Sequence, residues 1–160
     1  AFVLTYRTGQ GGRIATEDMA RAIGWIFENA AQLEVSTDGY SVWGSSAGAR
    51  MAANIGSDGT VAFGGDALPK PSAVVMAYTG HTRFTSNEPP TFVVVGDQDG
   101  IAPPATMQRR VAALRAQGTR VEYRRYEGLG HGFGLGTGTS AESWVEEAVR
   151  FWSEANQQVR

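Results

Sequence analysis

Apolar residues along this chain come in two spacings, and the chain switches between them several times. Ala1 to Tyr6 (AFVLTY) is a short β-favouring run. From Thr16 the pattern changes: Met19, Ala22, Ile23, Ile26, Phe27 and Ala30 recur at three and four residues, one face of a helix with Thr16 as its N-cap. The alternation continues. Tyr40 to Gly44 reads as a strand, Ala47 to Ile55 as a helix, and Ala73 to Tyr78 and Thr91 to Gly96 as two more strands. Ala105 to Gln117 is helical, Arg120 to Tyr126 a strand, and Ser140 to about Gln157 an amphipathic helix with Trp144, Val145, Ala148, Val149 and Trp152 on one side. Near-continuous apolar strands alternating with helices predict an α/β domain whose mostly parallel sheet is covered on both faces. Gly80 to Pro90 breaks the pattern with no helix signal, and no repeat or interior domain boundary is visible.

Composition narrows the class. With 160 residues and 42% hydrophobic content the chain can bury a core of its own. A formal charge of -2, from 14 basic and 16 acidic residues without runs of either sign, carries no footprint for nucleic acid or an anionic membrane. The partner expected is a small molecule. The absence of cysteine removes disulfides, thiol catalysis and thiolate metal sites, and is compatible with a reducing or an oxidising compartment. No apolar run approaches the ~20 residues that span a bilayer. The 21 glycines gather at junctions, where the backbone must bend sharply.

In a parallel α/β sheet, chemistry collects beyond the carboxyl ends of the strands. Just past the ends of three predicted strands stand a serine, an acid and a histidine: Ser46 in GSSAG, Asp97 and Asp99 in GDQDG, and His131 in GLGHGFG. A serine hydroxyl needs an imidazole to take its proton, and the imidazole needs a carboxylate on its other nitrogen. Gly44 and Gly48 flank Ser46 at the spacing of a strand-turn-helix elbow, where side chains on either glycine are expected to collide as the chain folds back. The Ala47 N–H, heading the next helix, then faces a developing oxyanion. Gly-x-Ser-x-Gly alone is as compatible with a plain turn, Asp99-Gly100 is a common turn pair, and His81 reads as loop or substrate rim. Trp43, Met76 and Tyr78 read as core or pocket wall.

These residues, in collinear order with Tyr6-Arg7 and the stretch from Thr16 to Ala49, resemble the α/β-hydrolase superfamily. Within it they resemble the esterases of the hormone-sensitive-lipase and carbohydrate-acetylesterase-like groups. The resemblance implies a single hydrolase domain over 1–160, with Ser46 as nucleophile, Asp99 as the triad acid and His131 as general base. It implies hydrolysis of short-chain carboxylic esters, acetyl groups on sugars among them, without a cofactor. The His-Gly-Gly type loop that supplies the family's second oxyanion donor has no match; Gly9 to Gly12 is a poor candidate for it. The Gly80 to Pro90 connection is shorter than the family's usual insertion, which implies an open acyl pocket. Because Ala1 to Tyr6 matches an interior strand of the family, the chain is expected to be its carboxyl-terminal part, completed by an upstream segment or a second chain. Alone it is then expected to be poorly soluble and nearly inactive. Two other functions fit the same residues. A serine peptidase of the prolyl-oligopeptidase type shares the triad order but usually carries an aromatic residue where this chain has Ala47. A non-catalytic receptor on this fold would have lost a triad residue, and all three are present.

Overall fold

A computed structural model describes residues 1–157 of the chain. Four strands, β1 (Ser41–Ser45), β2 (Ala73–Ala77), β3 (Thr91–Gly96) and β4 (Val121–Tyr126), form one parallel sheet in sequence order. Four helices accompany them: α1 (Gly12–Glu28), α2 (Ala47–Asp58), α3 (Pro104–Ala116) and α4 (Trp144–Gln157). Every residue of β2 and β3 is buried, as expected for interior parallel strands covered on both sides. Side-chain alternation divides the core in two. Val74, Met76, Val93 and Val95 meet Ala49, Ala52, Ala53 and Ile55 of α2, with Met107, Val111 and Leu114 of α3. Ala73, Val75, Ala77, Phe92 and Val94 point the other way, onto Trp144, Ala148 and Phe151 of α4. β1 pairs with β2 only, so its other edge is free among the described residues.

Several predicted elements shift. Ala1 to Tyr6 forms no strand: no described residue offers it a ladder, and Phe2 and Val3 lie exposed. β-favouring composition supplies the side chains of a strand but not its hydrogen-bond partner. Helix α1 starts at Gly12, so Thr16 is not its N-cap. Thr16 is buried one turn inside the helix and donates its hydroxyl to the Gly12 carbonyl at 2.7 Å. The cap is Gly11, in a left-handed conformation (φ 87°) suited to glycine. Helix α4 begins at Trp144 and turns Trp144, Ala148, Phe151 and Ala155 inward, whereas Val149 is exposed. A single 3-10 turn at Val61–Phe63 is too short to have shown a period.

The helix-free connection between β2 and β3 is held by a buried clasp. Glu88 accepts the Ser57 hydroxyl at 2.6 Å and the Thr85 N–H at 2.7 Å through Oε1, while its Oε2 accepts from Arg110 of α3 at 3.3 Å. Arg110 also donates to the Arg83 carbonyl. Both charged side chains are almost fully excluded from water, so removing one would strand the other, typically at ~3–5 kcal/mol. The clasp anchors the later part of this connection, just ahead of β3, where no helix does so.

Candidate active site

β1 runs directly into α2 through Ser46, which adopts φ 49° and ψ -112°. A non-glycine residue in such a conformation costs ~1–3 kcal/mol and persists only where its surroundings enforce it. Two features do so. The Ser46 N–H donates to the Ala77 carbonyl at 2.9 Å, hanging the turn on the end of β2. A side chain on Gly44 would run into the Gly48 carbonyl and the Ala49 nitrogen. Gly48 itself departs from the expectation, because a Cβ there meets nothing within 4 Å. The collision is therefore one-sided: Gly44 must be bare so that the backbone at Gly48 can pass over it. As the first residue of α2, Ala47 carries one of the N–H groups that a helix cannot pair internally.

The structure brings Ser46, His131 and Asp99 into one hydrogen-bonded chain. His131 Nε2 lies 2.9 Å from Ser46 Oγ, and His131 Nδ1 lies 2.8 Å from Asp99 Oδ2. Asp99 is buried, and its other oxygen, Oδ1, accepts the N–H groups of Ile101 at 2.9 Å and Ala102 at 2.7 Å. An ionised carboxylate only accepts, so Nδ1 carries the proton facing it, and Nε2 presents its lone pair to the serine hydroxyl. Asp97 is placed elsewhere, accepting the Gly128 N–H at 2.8 Å and tying the end of β3 to the loop beyond β4. Gly96 reinforces that docking, since a Cβ there would strike the Leu129 carbonyl.

Aromatic rings support the imidazole. Tyr78, just past β2 and itself at φ 38°, stands edge-on to His131 with ring centroids 5.3 Å apart and to Phe133 at 4.8 Å. Of the residues read as core or pocket wall, Met76 is core, Trp43 packs near Trp144 at 6.4 Å, and Tyr78 walls the histidine. His81 sits in the next loop, half-buried, with its Nε2 enclosed and unpartnered. Burial, with Arg110, Arg50 and Arg83 nearby, pushes its pKa down to about 4. Gly9 to Gly12 lead into α1, where Gly12 lies under the side chain of Arg50. Among the described residues no group of three or more His, Asp or Glu is disposed to hold a metal, and no helix is long and apolar enough to cross a membrane.

Comparison with known proteins supplies the family. Residues 64–158 match the prolyl oligopeptidase family, Peptidase_S9. The chain belongs to the prolyl oligopeptidase family. The matched segment holds Asp99 and His131, whereas Ser46 lies ahead of it. None of the curated proteins matches the chain. Solved structures agree on the α/β-hydrolase fold. An α/β hydrolase enzyme, MGS-M1, from a Medee basin deep-sea metagenome library is 20% identical, with a TM-score of 0.78 over 94% of this chain and 68% of its own. The Est2 esterase of the Planctomycetes species Thermogutta terrifontis, with propionate bound, is 22% identical, with a TM-score of 0.78 over 94% of this chain and 70% of its own. A truncated carbohydrate esterase from gut microbiota is 14% identical, with a TM-score of 0.76 over 90% of this chain and 69% of its own.

Proposed function

We propose that this chain carries the reacting groups of a serine hydrolase for short-chain carboxylic esters, with acetyl esters of carbohydrates among its substrates. Ser46 Oγ attacks the ester carbonyl carbon as its proton passes to His131 Nε2, and Asp99 holds the resulting imidazolium. The tetrahedral oxyanion faces the Ala47 N–H. Its collapse breaks the C–O bond to the alcohol, which takes the proton from His131. Water, deprotonated by the same imidazole, then attacks the acyl-enzyme, releasing the carboxylic acid and restoring Ser46. The observation that carries this reading is the pair of contacts on His131, 2.9 Å to the serine and 2.8 Å to the aspartate. The esterase names of the solved neighbours point to the same chemistry. Part of the reading is that a further strand along the free edge of β1, from an upstream segment or a second chain, supplies the second oxyanion donor.

The family match favours a second reading, cleavage of peptides after the same acyl-enzyme logic. One panel separates the two: p-nitrophenyl esters of increasing acyl length, acetylated xylan oligomers, and a proline-containing peptidyl p-nitroanilide, each with wild type and Ser46→Ala. Ester turnover that Ser46→Ala lowers by several powers of ten supports the first reading, and turnover confined to the anilide supports the second. Turnover unchanged in the variant would remove Ser46 from both.

A further inference from the structure

Away from the serine, a cleft of about 520 Å3 opens along α2. Arg50, Asn54 and Asp58 line it from that helix at four-residue intervals, so they share one face, beginning one turn after Ser46. Arg13 enters from α1, and Arg83 from the connection between β2 and β3. Three guanidinium groups from three separate elements thus surround one space, in a protein whose formal charge is -2. Gathering like charges costs energy unless something of opposite sign is present. Asp58 answers Arg83 through two hydrogen bonds of 2.6 and 2.7 Å, and Glu17 answers Arg13 at 3.2 Å. Nothing answers Arg50: among the described residues its solvent-exposed guanidinium has neither an ion pair nor a hydrogen bond, although it lines the same cleft as the other two. Gly12 of α1 lies alongside its side chain, where an added Cβ would make only an ordinary van der Waals contact with Arg50 Cδ, at 3.6 Å. Nearby, the protonation of His81 is opposed first by burial and by Arg110, and to a smaller extent by Arg50 and Arg83 of the cleft.

We infer that this cleft binds an oxyanion, a carboxylate, phosphate or sulfate group of a small molecule, with Arg50 as its principal contact and Arg13 and Arg83 flanking it. A free guanidinium presents a planar fork of donors matched to two oxygens of such a group. The anion has two sources: a free metabolite-sized anion, or a charged group carried by the ester itself. The second source rests on the activity proposed above and the first does not.

Two arms distinguish them, both on the full chain. In the first, sodium sulfate, phosphate and malonate are titrated against sodium chloride at matched low ionic strength, by thermal shift and calorimetry, because screening weakens exposed pairs. Saturable stabilisation is expected, with Arg50→Gln weakening the midpoint about tenfold and Arg50→Lys falling between, since lysine keeps the charge but loses the fork. In the second arm, p-nitrophenyl hemisuccinate is compared with p-nitrophenyl butyrate. A preference for the charged ester that falls at least about fivefold in Arg50→Gln assigns the anion to the substrate. Binding in the first arm with no preference in the second assigns a free anion. Anion binding with neither ester turned over also supports the cleft, since the first arm is independent of the activity proposed above. Equal responses to all four salts, or an Arg50→Gln titration superimposable on wild type, would overturn the inference.

Discussion

The ring of Tyr78 stands nearly perpendicular to the imidazole of His131, centroid to centroid 5.3 Å, from a backbone position that side chains rarely occupy. The imidazole itself rides on a loop in which Gly128, Gly132, Gly134, Gly136 and Gly138 all take positive φ, so the loop backbone has little intrinsic stiffness. The hydrogen bond to Asp99 fixes one ring nitrogen, and Tyr78, with Phe133 behind it, limits how the ring tilts about that bond. Tyr78→Phe is expected to keep ester turnover near wild type. Tyr78→Ala is expected to lower kcat/KM by about 10–100-fold, the scale of a misplaced reacting group, and to move the acidic limb of the pH-rate profile, which the general base sets. Unchanged kinetics in Tyr78→Ala would remove Tyr78 from the positioning of His131.

The two acids after β3 are expected to separate cleanly. In Asp99→Asn the amide oxygen can still accept from Ile101 and Ala102, which leaves the amide nitrogen facing His131 Nδ1. A donor there drives the ring proton to Nε2, where it can no longer accept from Ser46, and the rate should fall by about 10⁴ with the fold retained. In Asp97→Asn the oxygen that takes the Gly128 N–H remains, so the loss should stay below about tenfold. Measuring kcat/KM for both variants decides it, and the reverse order would reassign the acid.

The meeting of Ser46, Asp99 and His131 was legible because each comes just after a strand end, and parallel strands deliver all their carboxyl ends to one edge. The strands themselves were legible for a related reason: VVMA and FVVV are apolar at every position, which two-sided burial requires. Where periodicity had to choose between neighbouring stripes it chose poorly. In WVEEAVRFW, Val149 follows Val145 at four residues and Phe151 follows Trp144 at seven, so two neighbouring stripes compete, and the packing against Phe92, with ring centroids 5.6 Å apart, selects the one with Phe151. The start of α1 was hidden because Gly11 and Gly12 have poor helix propensity, and the helix is held there by its packing on α2. The arginine cleft left no local signal at all, since Arg13, Arg50 and Arg83 are far apart in sequence and meet only through the fold.

The one-sided collision at the elbow has a direct consequence for stability. Gly44→Ala places a methyl group against the Gly48 carbonyl, and backbone cannot rotate away as a side chain can. Overpacking of this kind costs about 1–3 kcal/mol, a fall of roughly 2–12 °C in Tm for a domain of this size. Gly48→Ala faces open space inside a helix and is expected to be neutral or slightly stabilising, by up to about 0.5 kcal/mol. Paired thermal melts test the contrast; equal losses at the two glycines would mean that the close approach does not govern the turn.

His81 makes the fold sensitive to mild acid. Its neutral form is favoured by burial first, then by Arg110 of α3, Arg50 of α2 and Arg83 of its own loop, which together hold its pKa at about 4. An unfolded histidine titrates near 6.5. Between those values the unfolded chain binds a proton that the folded chain refuses, so stability rises with pH in that window and is lost as pH falls from about 6.5 towards 4. His81→Gln removes the titrating group while keeping a polar side chain of similar reach. Carboxylates elsewhere titrate at the acid end in both proteins, so the informative quantity is the difference between the two stability curves. Denaturant melts at pH 7, 6, 5 and 4 should show that difference growing in favour of the variant as the pH drops, with most of the change between 6.5 and 4. Parallel curves for wild type and His81→Gln would show that His81 protonates freely in the folded protein and that the enclosed Nε2 has found a partner or reached water.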